Sequence, residues 1–186
     1  MPKTLISTHT VPGDYSGSTT TVDITSGIND TYDSYEFHLI DLHPQTNSVS
    51  ISFQVNCATG NTSGFNNYMT TAFIKGKRHE SGTDRESHSY VAAYDQAQTQ
   101  LYQLLCNDVG NDGDQAVSGV LPLYGPSSTE FHKHFISKMY EAHESDIHMY
   151  SICTGYINAV EAVDEISFKF DSGNIDSGVI KMYGVA

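Results

Sequence analysis

Hydrophobic and polar residues alternate along most of this chain. The clearest stretch is SVSISFQVN, where Val49, Ile51, Phe53 and Val55 alternate with Ser48, Ser50, Ser52 and Gln54. Successive side chains of a strand point to opposite faces, so this pattern predicts a strand with one dry and one wet face. DSYEFHL places Tyr35, Phe37 and Leu39 on one face and Ser34, Glu36 and His38 on the other. Its alternation breaks at Ile40-Asp41-Leu42, and Pro44 closes the strand. YMTTAFIKG, SGVLPLYG, EFHKHFISKMYE, IHMYSICTGYI, DEISFKF and SGVIKMYG also read as strands, separated by clusters of Gly, Asn, Asp, Ser and Pro. Pro122 lacks the amide a central strand needs, which predicts an edge or bulge position for SGVLPLYG.

One segment has a different period. In YVAAYDQAQTQLYQLLCND, Ala93, Ala97, Leu101, Leu104 and Leu105 recur at helical spacing and predict one short helix over about 92–106. KGKRHESGTDRESHS, Lys75 to Ser89, gathers Lys75, Lys77, Arg78 and Arg85 among acids and glycines with no apolar residue between them. It predicts a solvated, projecting loop of the kind that carries specificity in a binding protein. In DSGNIDSGVIKMYG, Gly173 and Gly178 permit a sharp reversal before a last strand with Ile180 and Met182 on one face and Lys181 and Tyr183 on the other. Inserted beside an earlier strand, this segment ties down the chain end. No repeat of solenoid or propeller period is present. The expected fold is all-β: one antiparallel, jelly-roll-like β-sandwich domain over 1–186, with one short helix.

Composition narrows the partners. Twenty-two acids against nine Lys and Arg give a net charge of −13, a field that repels phosphate backbones and anionic membrane surfaces. Neither nucleic acid nor membrane is therefore expected as a partner. Twelve tyrosines and no tryptophan favour contact surfaces, because Tyr joins a large apolar area to a polar end. Cys57, Cys106 and Cys153 form no CxxC pair and are expected as buried, reduced thiols of a chain made in a reducing cytoplasm. MPKTLISTHTVPGDYSG has no apolar core of signal-peptide length, and no run reaches transmembrane length.

Three clusters were weighed for chemistry. His132 and His134 in FHKHF would project from one strand face, with His148 as a partner on a facing strand. The positions where a cupin-type site needs a carboxylate hold Lys138 and Met139, with Glu141 late. NDVGNDGDQ offers Asp108, Asp112 and Asp114 to a calcium ion, yet Gly110 and Gly119 stand where an EF-hand loop needs ligands. Glu141 and Glu144 lie in YEAHESD, read as a hairpin loop, and neither a GxSxG elbow nor a phosphate-binding glycine loop is present. No catalytic, cofactor-binding or metal residue is assigned, no cofactor is expected, and the chain is not expected to be an enzyme.

The terminal phrase SGNI–SG–IK–YG resembles the ending of small jelly-roll virion structural proteins of tailed bacteriophages, especially marine ones. MPKTLISTHTV followed by INDTYDSYEFHLIDL is similar to their N-terminal strands, and SGVLPLYGPSSTEFHKHF resembles their strand–YNPSS–strand hairpin, with Gly125 in place of the Asn. The resemblance implies a virion location and a homotrimer bound to other virion proteins, either the major capsid protein or tail components. It implies a capsid decoration (cement) protein, or alternatively a tail-fibre head that binds host glycan through Lys75–Ser89 and Asn107–Gln115. A cupin-like or carbohydrate-binding soluble domain is the third reading. The family carries no catalytic residues over to this chain.

Overall fold

Thirteen strands make up nearly all of the regular structure in the computed structural model, which describes residues 2–13, 18–57, 64–82 and 87–186. They are β1 (Lys3–Val11), β2 (Val22–Ile24), β3 (Ser34–Pro44), β4 (Ile51–Cys57), β5 (Met69–His79), β6 (Ser87–Tyr90), β7 (Ala97–Thr99), β8 (Gln103–Leu104), β9 (Val117–Tyr124), β10 (Lys133–His143), β11 (Ile147–Ile157), β12 (Val163–Phe170) and β13 (Ile175–Val185). All pairings are antiparallel. One sheet runs β1-β13-β3-β9-β10-β11-β5-β6, with β7 also on β5, and the other runs β2-β12-β4-β8.

Eight of these strands form a jelly roll. β1-β13-β3-β9 face β2-β12-β4-β8, and the chain crosses between the two layers at β1→β2, β2→β3, β3→β4, β8→β9 and β12→β13. Two insertions enlarge it. β5–β7 lie between β4 and β8 in sequence, and β10–β11 between β9 and β12; together they extend the first sheet beyond β9.

The core forms where the alternating patterns of the two layers meet. Tyr35, Phe37 and Leu39 of β3, Leu121 and Leu123 of β9, and Ile180 and Met182 of β13 are buried from one side. Ile51, Phe53 and Val55 of β4 and Ile166, Phe168 and Phe170 of β12 are buried from the other. Phe37 and Phe168 join the layers, with ring centroids 5.8 Å apart. Burying each such side chain contributes about 1.5–3 kcal/mol. As expected, β13 inserts between β1 and β3. Gly178 (φ +123°) sits there within the second of two register shifts, against Asp41 and Leu42, where a Cβ would meet backbone.

Four expectations fail. The segment expected as a helix over 92–106 is a short 3-10 turn, Ala92–Tyr94, followed by β7 and β8. Its helical spacing marks no buried face, since Ala93, Ala97 and Leu101 are exposed. Gln96 and Gln103 are buried instead, and their side-chain amides donate to Leu101 O (2.9 Å) and Tyr94 O (3.0 Å). Asp95 accepts from the Phe73 amide (2.7 Å). Side chains and the edge of β5 thus take the backbone bonds that a helix would have made itself. Lys75–Ser89 is chiefly a hairpin, with Lys75–His79 in β5 pairing Ser87–Tyr90 in β6; residues 83–86 lie outside the described residues. Pro122 stands in a central strand between β3 and β10, and the ladder to β10 skips Leu121 and Pro122, the latter having no amide to donate. Glu141 is within β10 rather than in the hairpin turn.

Candidate functional site

The histidines do not converge. His132, just before β10, stacks on Tyr156 (5.3 Å, 16°), and His134 tilts against the same ring at 6.3 Å. His148 lies eight residues further along β11 from Tyr156, roughly 27 Å away at strand spacing. Asp108 accepts from Ser48 Oγ (3.3 Å) and from the Asn107 side-chain amide. Asp112 engages Gln115 through its amide and His43 through its carbonyl. Asp114 borders a separate pocket. Among the described residues, no three His, Cys, Asp or Glu side chains come together as a metal site. The three cysteines are free and buried. Burial pushes the Cys57 thiol up to about 11 and raises Cys106 and Cys153 as well, so all three stay protonated and unreactive at neutral pH.

Glu141 is the buried charge that the sequence pattern hid. On the inner face of β10 it is 2% exposed, and neither carboxylate oxygen makes a hydrogen bond of good geometry, although the Cys106 thiol and the Asn107 amide lie near it. Burial pushes its carboxyl up to about 7, against the pull of the Cys106 thiol, the Asn107 amide and Lys75. Lys75 does not close on it, donating to Asn107 Oδ1 (3.2 Å) and lying 5.4 Å over the Tyr94 ring. The signal was present in HFISKMYEAH, whose inward positions read Phe135, Ser137, Met139, Glu141.

The outer face of the large sheet is the widest feature of the molecule. Lys181, His38, Val120, Lys138, Ile152 and Ile74 follow one another across β13, β3, β9, β10, β11 and β5 in register. Tyr183, Pro122, Ile136 and Ala72 flank this row on one side, and Tyr140 and Tyr150 on the other. Most are half-buried by their neighbours, while Tyr140 is 53% exposed and Tyr124 48%. Acid is scarce here. Glu36 carries both Lys3 Nζ (2.6 Å) and His38 Nε2 (3.0 Å), and Asp41, at the margin, accepts from Ser118 Oγ. The patch from β1 to β5 measures roughly 30 Å by 20 Å at standard strand spacings.

Two hollows share His148 at the far end of this face. One, of about 330 Å³, is acidic and bordered by Glu80, Asp114, Asp146 and His143. The other, of about 510 Å³, is bordered among the described residues by Lys77, Arg78, Ser87, His88 and Tyr150.

The opposite face of the molecule is polar and covered. On the small sheet, Gln54 Nε2 donates to Asn67 O (3.1 Å) and Leu101 O (2.9 Å), and Ser52 Oγ to Lys169 O (2.9 Å). Ser167 Oγ joins Asp23 (2.5 Å) and Tyr102 (3.0 Å), and Lys169 lies 4.2 Å over the Tyr102 ring. The segment through Leu101 and Tyr102 closes over that sheet. No protein-family model matches the chain, and no curated protein matches it at a significant level.

Proposed function

We propose that this protein is a structural subunit of a tailed-phage virion, made in the host cytoplasm, that acts as a homotrimeric capsid decoration protein. The observation that carries the reading is the outer face of the large sheet, where the half-buried Val120, Ile136, Ile152 and Ile74 lie among several tyrosines, Tyr124 and Tyr140 about half exposed, on a chain of net charge −13. Copies of so acidic a protein repel one another, and they approach most readily through a face whose acids are few and already paired. The size of the patch is of the order of the roughly 800 Å² per partner that a stable interface buries. Aromatic enrichment with few charges is the composition of an interface core. The jelly-roll topology accords with the fold that the phrases SGNI–SG–IK–YG and SGVLPLYGPSSTEFHKHF imply.

Self-association is tested by light scattering on the purified chain with and without EDTA. A particle of about 61 kDa, three times the 20.4 kDa chain, unmoved by EDTA, is expected. Co-sedimentation of that particle with capsids lacking it, rather than with tails, tests decoration. A chain that stays monomeric at high concentration and ignores capsids contradicts the reading.

A further inference from the structure

We infer that the outer face of the large sheet docks on the acidic end of a second copy, the end that carries Glu80, Asp114 and Asp146. This inference rests on the trimer proposed above and says how it closes. A threefold ring joins two different patches of the same chain, whereas identical faces set against each other give a dimer. The outer face of the large sheet is one patch, and its chemistry states what the other must supply.

That face is apolar and basic. Lys181, His38, Val120 and Lys138 stand in one row across β13, β3, β9 and β10. Lys138 is exposed and Lys181 half-buried, and among the described residues neither ammonium has a hydrogen-bond or ion-pair partner. Glu36, the acid beside them, is taken by Lys3 and His38. Two such faces in contact would set ammonium against ammonium. Covering these lysines is favourable only where carboxylates meet them.

The acidic end meets that need. Glu80 follows β5, Asp114 precedes β9, and Asp146 lies in the turn from β10 to β11. All three are exposed, and among the described residues their carboxylates have no partner. Several acids elsewhere are engaged: Asp23 by Ser167, Asp171 by the Ser50 amide, Glu165 by Asn56 and Asp95 by Tyr90. Backbone and side-chain bonds hold the end together, the Glu80 amide donating to the Asp146 carbonyl (3.1 Å) and Gln115 Nε2 to the His143 carbonyl (3.4 Å). The three acids border the hollow of about 330 Å³ beside Tyr140, a concave surface for an incoming lysine side chain. One patch is the face of the sheet and the other the end where its strands turn. Patches set at an angle close a ring, while patches on opposite sides extend a filament.

Light scattering on charge-reversed chains tests the contact. The native chain is expected as a particle of about 61 kDa. Lys138→Glu with Lys181→Glu, and separately Glu80→Lys with Asp146→Lys, should each raise the concentration at which that particle dissociates by about tenfold or more, since each sets like charges together. The chain carrying all of these substitutions should regain the native behaviour. Melting temperatures confirm folding, and Lys138→Gln with Lys181→Gln, expected to act in the same direction more weakly, carries the test where the glutamates unfold the chain. A fully reversed chain that stays dissociated overturns the assignment, as does a lysine or an acid reversal that leaves the particle intact; the trimer itself then stands. A native chain that is monomeric at high concentration overturns the trimer and this contact with it.

Discussion

The two outer faces of this sandwich solve opposite problems. On the small sheet, the wet positions of the alternating pattern are Ser52, Gln54 and Ser167, and all three are buried. Their side chains find bonding partners in the chain itself, with Leu101 O, Asn67 O and Tyr102 among them. On the large sheet, the corresponding positions carry Val120, Ile136, Ile152 and tyrosines, and these stay partly open. A polar face closed by its own chain has spent its hydrogen-bonding capacity. An apolar face left open retains its capacity to associate. The difference teaches that polarity read along a strand does not by itself tell which side of a sheet is free.

The comparison breaks most visibly by changing the charge on each face. Ile152→Asp is expected to reduce the native mass about threefold, to that of the single chain, in light scattering. Lys169→Ala on the small sheet should leave the mass unchanged, and equal masses for the two variants would remove the distinction.

Glu141 sharpens the account through pH. Its folded carboxyl titrates at about 7 against an ordinary 4.5. The folded state therefore prefers the protonated acid. Its contribution to stability is fully present below about pH 4.5 and is lost as pH rises through 7. Glu141→Gln removes that loss, so it should stabilise the fold by about 3 kcal/mol at pH 8 and by little at pH 4.5. Urea denaturation at the two pH values measures it, and a gain independent of pH would refute it.

Smaller effects test the closed face. Gln54→Ala strands carbonyls of Asn67 and Leu101 and should cost about 2 kcal/mol, with faster hydrogen exchange around Leu101 and Tyr102. Tyr102→Phe removes only the bond to Ser167 and should cost about 1 kcal/mol in chemical denaturation.

Much of the fold was legible because β-strand patterning is local. The alternation in SVSISFQVN and DEISFKF gives β4 and β12 with their inner faces, and Ile180 and Met182 are buried as their spacing implies. The 92–106 segment was misread because its determinants are not local. Asp95 bonds to Phe73, and Gln103 both bonds to Thr71 and reaches Tyr94, contacts that periodicity cannot register. The hairpin of Lys75–Ser89 was hidden for a related reason: its strands project beyond the apolar core and so carry no alternation. The histidine and aspartate clusters looked plausible because they are close in sequence, yet register on β10 and β11 holds His134 and His148 far apart. The hollow beside β6 was half legible. Lys77 and Arg78 stood in one stretch, but Tyr150 and His148 reach it only by strand pairing.

The most direct measurement is hydroxyl-radical footprinting of the native particle, read residue by residue by mass spectrometry. The account predicts that Tyr124, Tyr140 and Ile136 are protected although two of them are about half exposed on the single chain, while Leu101, 70% exposed on the closed face, is labelled freely. Free labelling of Tyr124 and Tyr140 in a particle of about 61 kDa would contradict it, placing the association on another surface.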